Sequence, residues 1–165
     1  MKSKILELLK KTNTIISKRI VLSIAAVLML TISSFADSKD DVNKMAMKAF
    51  HKDFASARSI SWEQNPHFVK VTFTMNSQVL CAFYNNNGDL QAVVRNLVSD
   101  QLSINLLADL KNTYTGFWIS DLFEMVTDDQ TSYYVTLENA DKKIVLTSVG
   151  TNGWSVYSKT KKNVQ

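Results

Sequence analysis

Two segments of the chain carry apolar residues at helical spacing, with polar residues between them. The first follows Asp40 and Asp41, and the second follows Ser103, whose hydroxyl suits a helix N-cap. Each pattern predicts an amphipathic helix with one buried side. The apolar positions are Val42, Met45, Ala46, Ala49, Phe50, Phe54 and Ala57 in the first segment, and Ile104, Leu107, Leu110 and Tyr114 in the second, which Gly116 ends.

Elsewhere the apolar period changes to two. Val69–Met75 alternates apolar residues with Lys and Thr, which is typical of a half-buried strand. Gln78–Tyr84 is apolar on both sides, which predicts a central strand. Residues 85–89 predict a hairpin turn, because Asn and Gly tolerate positive φ. Further strands are predicted at residues 60–62, 90–97, 117–126, 133–138, 143–149 and 154–157.

The order of a helix followed by strands occurs twice. Val71, Thr72 and Phe73 in the first half correspond to residues 135–137 in the second, at a similar distance after the helix. We interpret this as a degenerate duplication. The predicted fold is α+β, with two tandem helix-plus-antiparallel-strand repeats that form one curved sheet and place both helices on one face.

The N-terminal segment has the pattern of a secretory signal peptide. Residues 1–19 carry six basic residues and one acid, and residues 20–36 are uncharged. Ser34 and Ala36 supply the small residues of a cleavage site. The uncharged stretch is short for a membrane span. We therefore predict a signal peptide at residues 1–36, cleavage near Ala36 and Asp37, and a periplasmic or secreted domain at residues 37–165. Because the basic region is long, an uncleaved anchor is the alternative.

Charge and cysteine content narrow the function of the predicted domain. Removing six basic and one acidic residue from the chain's 19 and 15 leaves 13 and 14, a net charge of −1. The basic isoelectric point of the chain therefore comes from the export signal and does not indicate nucleic-acid binding. The single cysteine, Cys81, allows no intramolecular disulfide.

Residues with catalytic or metal-binding potential are few. Cys81 lies in an apolar strand, where a thiol is typically a small buried hydrophobe. His51 and His67 have no acid or cysteine at ligand spacing, and the glycines of the predicted domain stand at turns and form no phosphate-binding loop. We therefore predict no catalytic residue, no metal site, no cofactor and no enzymatic activity.

Packing and turn residues between Val42 and Tyr157 carry a resemblance to a known family. They are Phe50, Phe54, residues 57–62, 71–73 and 82–90 in the first half, and Leu102, residues 114–116 and 134–137 in the second. This order resembles the PepSY-like proteins related in fold to the β-lactamase inhibitory protein, small exported proteins of Bacteroidetes-type bacteria. Ser103 departs from the family's usual Pro, and Asn85 to Asn87 replace an Asp often found before the turn Gly.

The resemblance implies a non-enzymatic binding or inhibitory module. In the inhibitor that the fold resembles, the open face of the sheet is the binding surface. Strand parity predicts that Tyr133, Val135 and Leu137 face the helices, and that Tyr134 lies on the other face with Lys70, Thr72 and Thr74. We expect four aromatic residues to contact an exported or envelope protein there, namely Tyr84, Trp118, Tyr134 and Tyr157.

Two other functions remain open at this point. A carrier or sensor of a small apolar ligand would hold it between sheet and helices, in a cavity at Met45, Phe50 and Phe73. A hydrolase would need His51 or His67 to converge with a carboxylate and a nucleophile. Residues 159–165 are rich in lysine and are predicted to be a disordered tail that could touch an acidic partner.

Overall fold

The computed structural model describes residues 42–128 and 130–162. The predicted signal peptide and its cleavage site lie outside the described residues. The elements, in chain order, are α1 (Lys44–Asp53), β1 (Arg58–Gln64), β2 (Val69–Met75), β3 (Gln78–Tyr84), β4 (Leu90–Asn96), a 3₁₀ turn (Ser99–Gln101), α2 (Ile104–Thr113), β5 (Trp118–Val126), β6 (Thr131–Glu138), β7 (Lys142–Val149) and β8 (Ser155–Lys161).

All eight strands belong to one antiparallel sheet whose spatial order, β1 to β8, is also the sequence order. The predicted α+β class is therefore confirmed, and Gln78–Tyr84 is an interior strand as expected. One helix precedes each run of four strands. The duplication that we inferred from this order stays a prediction.

Local side-chain chemistry explains where the helices begin. The Asn43 side-chain oxygen accepts hydrogen bonds from the backbone N–H groups of Met45 (2.8 Å) and Ala46 (3.1 Å), and so caps α1. Ser103 caps α2 through the N–H of Leu106 (3.4 Å). The apolar pattern had extended the first helix to Ala57, but α1 ends at Asp53. Phe54 still packs on the core from outside the helix.

The strand register shows that α1 and α2 lie on the same face of the sheet. Phe50 of α1 packs on Val71, and the pairing runs from Val71 through Ala82 and Val93 to Val126 on one side. That side continues four residues along β5 to Leu122, which packs against α2. Val135 and Leu137 also pack there, as strand parity predicted.

A polar line separates the two apolar clusters on this helix-bearing face. Arg95 of β4 pairs with Glu124 of β5, which pairs with Tyr133 of β6. The Arg95 guanidinium forms an ion pair with Glu124. Burial, followed by the hydrogen bond to Glu124, raises the pKa of Tyr133 above its ordinary value. Each helix therefore packs on its own apolar cluster, and the ion pair between Arg95 and Glu124 connects the first four strands with the last four.

The predicted disordered tail is wrong for residues 159–161. β8 extends to Lys161, with Lys142 opposite Lys161 and Ile144 opposite Lys159, and the Lys162 N–H continues the bonding to the Asp141 carbonyl (2.8 Å). The reason is that β8 pairs with β7 through backbone N–H and C=O groups, which do not depend on the side chains, so a polar composition did not prevent pairing. Residues 163–165 lie outside the described part.

The β3–β4 turn packs directly on the start of α1. Gly88 has φ +84°, and a Cβ placed there would lie 2.9 Å from the backbone carbonyl carbon and oxygen of Met45. Nearby, the Asn43 amide donates to the carbonyl of Asn86 (2.8 Å). Gly116 has nearly the same backbone conformation, φ +82°, but open space where its Cβ would be. A comparison of Gly88 with Gly116 therefore distinguishes the cost of backbone strain, which both positions share, from the cost of steric contact, which only Gly88 has.

We expect Gly88→Ala to lower the free energy of unfolding more than Gly116→Ala. Both substitutions place a side chain at positive φ, at a cost of about 1–2 kcal/mol. Gly88→Ala adds overpacking against Met45, worth about 1–3 kcal/mol more. Urea denaturation of the two variants measures the difference, and equal losses would show that the turn does not press on α1.

Candidate functional site

The sheet face opposite α1 and α2, here called the far face, has its own apolar cluster. Because successive residues of a strand point to opposite faces, this cluster uses the positions that the helices do not contact. Its buried members are Phe68, Phe83, Ala92, Val94, Phe123, Met125 and Tyr134, with Cys81 and Tyr157 packed against them. Aromatic rings are the largest of these side chains. Among the described residues, both α-helices lie on the other face.

Tyr134 is at the centre of the far-face cluster and is only 6% exposed. Its ring stacks on Phe123, with centroids 5.0 Å apart and planes inclined by 14°, and meets the edge of Tyr157 at 5.9 Å. Burial raises the pKa of the Tyr134 phenol. Tyr134 therefore supports Tyr157, which is half-buried and offers part of its ring to solvent.

Trp118 also lies on the far face, at the end where β5 begins. It pairs with Glu138, which is four residues along β6 from Tyr134 and so on the same side. The Trp118 side chain is 53% exposed. Lys162 Nζ lies 5.1 Å from its ring centroid, within range of a cation–π contact. Of the predicted partner-binding residues, Trp118 is the most accessible.

Tyr84 lies on the helix-bearing face and not on the far face. Its partner across β2 is Val69, and it is fully buried beneath α1, with Phe50 6.5 Å away. Its hydroxyl donates to Asp53 Oδ2 (3.1 Å) at the end of α1. Burial and this hydrogen bond raise its pKa far above the ordinary value. Three of the four predicted residues thus share one face, and their role in binding stays a prediction.

A polar group that sequence reasoning missed lies beside Trp118. Glu138 accepts a hydrogen bond from Ser120 Oγ (2.9 Å) and forms ion pairs with Lys162 (2.6 Å) and Lys143 (3.8 Å). The hydrogen bonds from Lys162 and Ser120 lower the pKa of Glu138. Parity from Tyr134 could have assigned Glu138 to this face. The bulge that turns Ser120 toward it has no signal in the sequence.

A shallow depression of about 400 Å³ opens where β4 ends and β5 continues beside β6 only. The Leu97 N–H to Leu122 carbonyl bond (2.9 Å) marks the last link between these strands. Asp121 lines the depression, and burial raises the pKa of its carboxyl. The other lining residues are Asn96, Leu97, Val98, Ser99, Ile119, Ser120 and Leu122. This lining includes no histidine or cysteine to act as base or nucleophile.

His51 and Cys81, two of the residues considered for catalysis, lie on opposite sides of the sheet. His51 is exposed on α1, beside Phe50 and Trp62. Cys81 is on the far face, where its Sγ lies 3.5 Å from Thr72 Oγ1. Cys81 is only partly buried, unlike the prediction, because its parity turns it away from the helices. In residues 42–128 and 130–162, no three His, Cys, Asp or Glu side chains cluster as a metal site would require.

The ligand cavity expected beneath α1 is not formed by the three residues proposed for it. Phe50 and Phe73 are both fully buried and in edge contact, with centroids 5.0 Å apart. Met45 is 63% exposed and points away from them. The space between sheet and helix is thus filled by aromatic rings at this point. Separately, no described helix is long and apolar enough to cross a bilayer.

Solved structures from Bacteroides share this fold. A DUF2874 family protein from Bacteroides ovatus ATCC 8483 superposes with a TM-score of 0.65 at 15% identity, over 74% of this chain and 89% of its own. A BLIP-like protein from Bacteroides fragilis NCTC 9343 gives 0.60 at 16%, over 78% and 89%. A protein classed provisionally as periplasmic, from Bacteroides eggerthii DSM 20697, gives 0.63 at 10%, over 72% and 87%.

No known protein-family profile and no curated protein matches the chain. At identities of 10–16%, the structural likeness shows a common fold and nothing finer. The fold resemblance to BLIP-like proteins of Bacteroides is therefore confirmed. The PepSY-like name stays a prediction.

We expect the stability of the protein to decrease above about pH 10 because of Tyr84. The unfolded chain ionises this phenol near pH 10, whereas the folded protein keeps it protonated to higher pH. Its contribution is therefore complete below that pH and is lost as the pH rises. Denaturant titrations at pH 9–12 should show a steeper fall for the wild type than for Tyr84→Phe, by up to about 1.4 kcal/mol per pH unit. Parallel curves would contradict the assignment.

Replacement of Tyr134 by alanine should lower the free energy of unfolding more than replacement of Trp118. Tyr134→Ala empties a buried aromatic position, so we expect a loss of about 3 kcal/mol in the free energy of unfolding. Trp118→Ala removes an exposed ring and one cation–π contact, and should cost about 1 kcal/mol or less. Urea unfolding of both variants checks this. A large loss for Trp118→Ala would identify that ring as structural.

Proposed function

We propose, from a fold shared with a BLIP-like Bacteroides protein, that this chain is an exported, non-enzymatic binding module. Its partner is another exported or envelope protein, which contacts the far face of the sheet. The observation that carries this proposal is the aromatic cluster of that face, which reaches solvent at Tyr157. It passes from the buried Phe123 and Tyr134 to the partly exposed Tyr157, on the face opposite both helices.

The accessible aromatic residues have the chemistry of interface anchors. Tyr and Trp bring a large contact area at low cost in rotamer entropy, and they dominate the binding energy of many interfaces. Tyr157 is held in place by the edge contact with Tyr134, and Trp118 by the ammonium group of Lys162. Such preorganised anchors lose little freedom on binding.

Polar side chains lie at both ends of the far face. Lys70, Thr72 and Thr74 occupy the far face on β2 and are half-buried, and Glu138 and Lys143 occupy the opposite end. A rim of this kind supplies hydrogen bonds and excludes water around the central contacts. Tyr84 takes no part in this surface, and we assign it to the stability of the α1 core.

Inhibition of an enzyme is the narrower form of this proposal. The name of the Bacteroides fragilis neighbour supports it by fold alone. The separation of His51 and Cys81 onto opposite faces argues against a hydrolase that uses this pair. The carrier alternative lacks the cavity predicted for it, since Phe50 and Phe73 are in contact.

Crosslinked capture from the native envelope fraction tests the proposal. We expect one stoichiometric protein partner, identified by mass spectrometry, whose affinity falls by tenfold or more, about 1.4 kcal/mol, in the double variant Trp118→Ala with Tyr157→Ser. The matched control, Met45→Ala with Ile104→Ala, removes two exposed apolar side chains from the helix-bearing side and should bind normally. Equal binding by both double variants would contradict the use of the far face.

A further inference from the structure

One corner of the sheet, where β7 begins and β8 ends, concentrates positive charge. Five lysines lie within these two strand ends and the residue that follows, against the acids Glu138 and Asp141. The lysines are Lys142, Lys143, Lys159, Lys161 and Lys162. Outside this corner the described residues hold seven basic and eight acidic side chains, so the concentration is local.

The five lysines divide between the two faces. Lys143 and Lys162 form ion pairs with Glu138 on the far face. Lys142, Lys159 and Lys161 lie on the helix-bearing face, because Lys159 is opposite Ile144, a residue of the α2 cluster. All three are exposed, and none of them has an ion-pair partner in residues 42–128 and 130–162.

Lys142 and Lys161 are direct cross-strand neighbours. Like charges in this position destabilise a sheet. Lysines on an outer strand commonly prevent edge-to-edge aggregation, which would account for Lys159 and Lys161. Lys142 is on the inner strand β7, where it adds repulsion without protecting the edge. An anion held between these lysines would remove the repulsion.

β8 is also the last strand of the sheet formed by the described residues. No strand in residues 42–128 and 130–162 pairs with its outer backbone edge, and Val156, 49% exposed, lies on the same face as Lys159 and Lys161. Side chains at alternate positions of a strand are about 7 Å apart on one face. An added strand with acids at alternate positions would therefore meet Lys159 and Lys161 in turn.

We propose that the outer edge of β8 is a docking site for an acidic, extended peptide segment of another protein. The segment pairs with the β8 backbone as a ninth strand, and its carboxylates lie between Lys142, Lys159 and Lys161. The alternating spacing of Lys159 and Lys161 along a free strand edge favours a peptide over a lipid surface. This site is separate from the far face, and its partner need not be the same protein.

Fluorescence anisotropy with a labelled peptide tests this site. The probe is an acetylated eight-residue peptide of alternating Thr and Glu, added to the purified protein. We expect Lys142→Gln, Lys159→Gln and Lys161→Gln together to weaken binding by about tenfold or more. The matched control removes three exposed lysines of α1, Lys44→Gln, Lys48→Gln and Lys52→Gln, and should change affinity by less than about twofold.

Backbone pairing is tested by the same peptide with an N-methyl group on every residue, which should also bind about tenfold more weakly. Equal losses for the two lysine variants, or unchanged binding of the N-methylated peptide, would overturn the proposal. So would tight, lysine-dependent binding of phosphatidylglycerol vesicles without binding of the peptide. The far-face variant Trp118→Ala with Tyr157→Ser should bind the peptide normally, so this result is independent of the proposed function. Thermal melting should show that the triple variant of Lys142, Lys159 and Lys161 is at least as stable as the wild type, because it removes the repulsion between Lys142 and Lys161.

Discussion

The continuous antiparallel register from β1 to β8 is the constraint on which the rest of the structure depends. Each paired residue fixes the face of its partner, so one line of pairs from Val71 to Val126 determines where both helices can pack. The same pairing sends Phe123 and Tyr134 to the opposite face. Because the side-chain period is two, a slip of one residue would exchange the two faces and expose both cores. The register therefore decides which side chains form each core.

The two faces of the sheet bury their apolar side chains in different ways. On the helix-bearing face, α1 and α2 each pack an apolar stripe on one cluster, and the Arg95–Glu124–Tyr133 line separates the two clusters. On the far face, aromatic rings pack mainly on one another, and the partly exposed Tyr157 borders them. A surface that ends in ordered aromatic side chains and polar neighbours has the properties of a recognition surface.

Charged side chains are concentrated at one corner of the sheet, where β7 begins and β8 ends. Beside Trp118, Glu138 accepts a hydrogen bond from Ser120 and forms ion pairs with Lys143 and Lys162. The pair with Lys162 connects the end of β8 to β6. On the other side of the same strands, Lys142 and Lys161 face each other. The net charge of the chain conveys none of this. Charges about 20 residues apart in sequence, such as Lys142 and Lys161, become neighbours only through strand pairing.

The sequence by itself determined most of the elements and the faces of the half-buried strands β2 and β6. Apolar periodicity located both helices, seven strands to within about two residues and the interior position of β3, because packing against one side leaves a local pattern. The sequence identified Ser103 as a helix cap. Strand parity assigned Tyr134, Val135 and Leu137 to the correct faces of the sheet. Other features depended on the tertiary structure. The extension of β8 through the lysines, the burial of Tyr84 beneath α1 and the partial burial of Cys81 were missed, because backbone pairing ignores side-chain polarity and strands apolar on both sides carry no parity signal. The site around Trp118 also required the structure, since a bulge and three distant residues meet there.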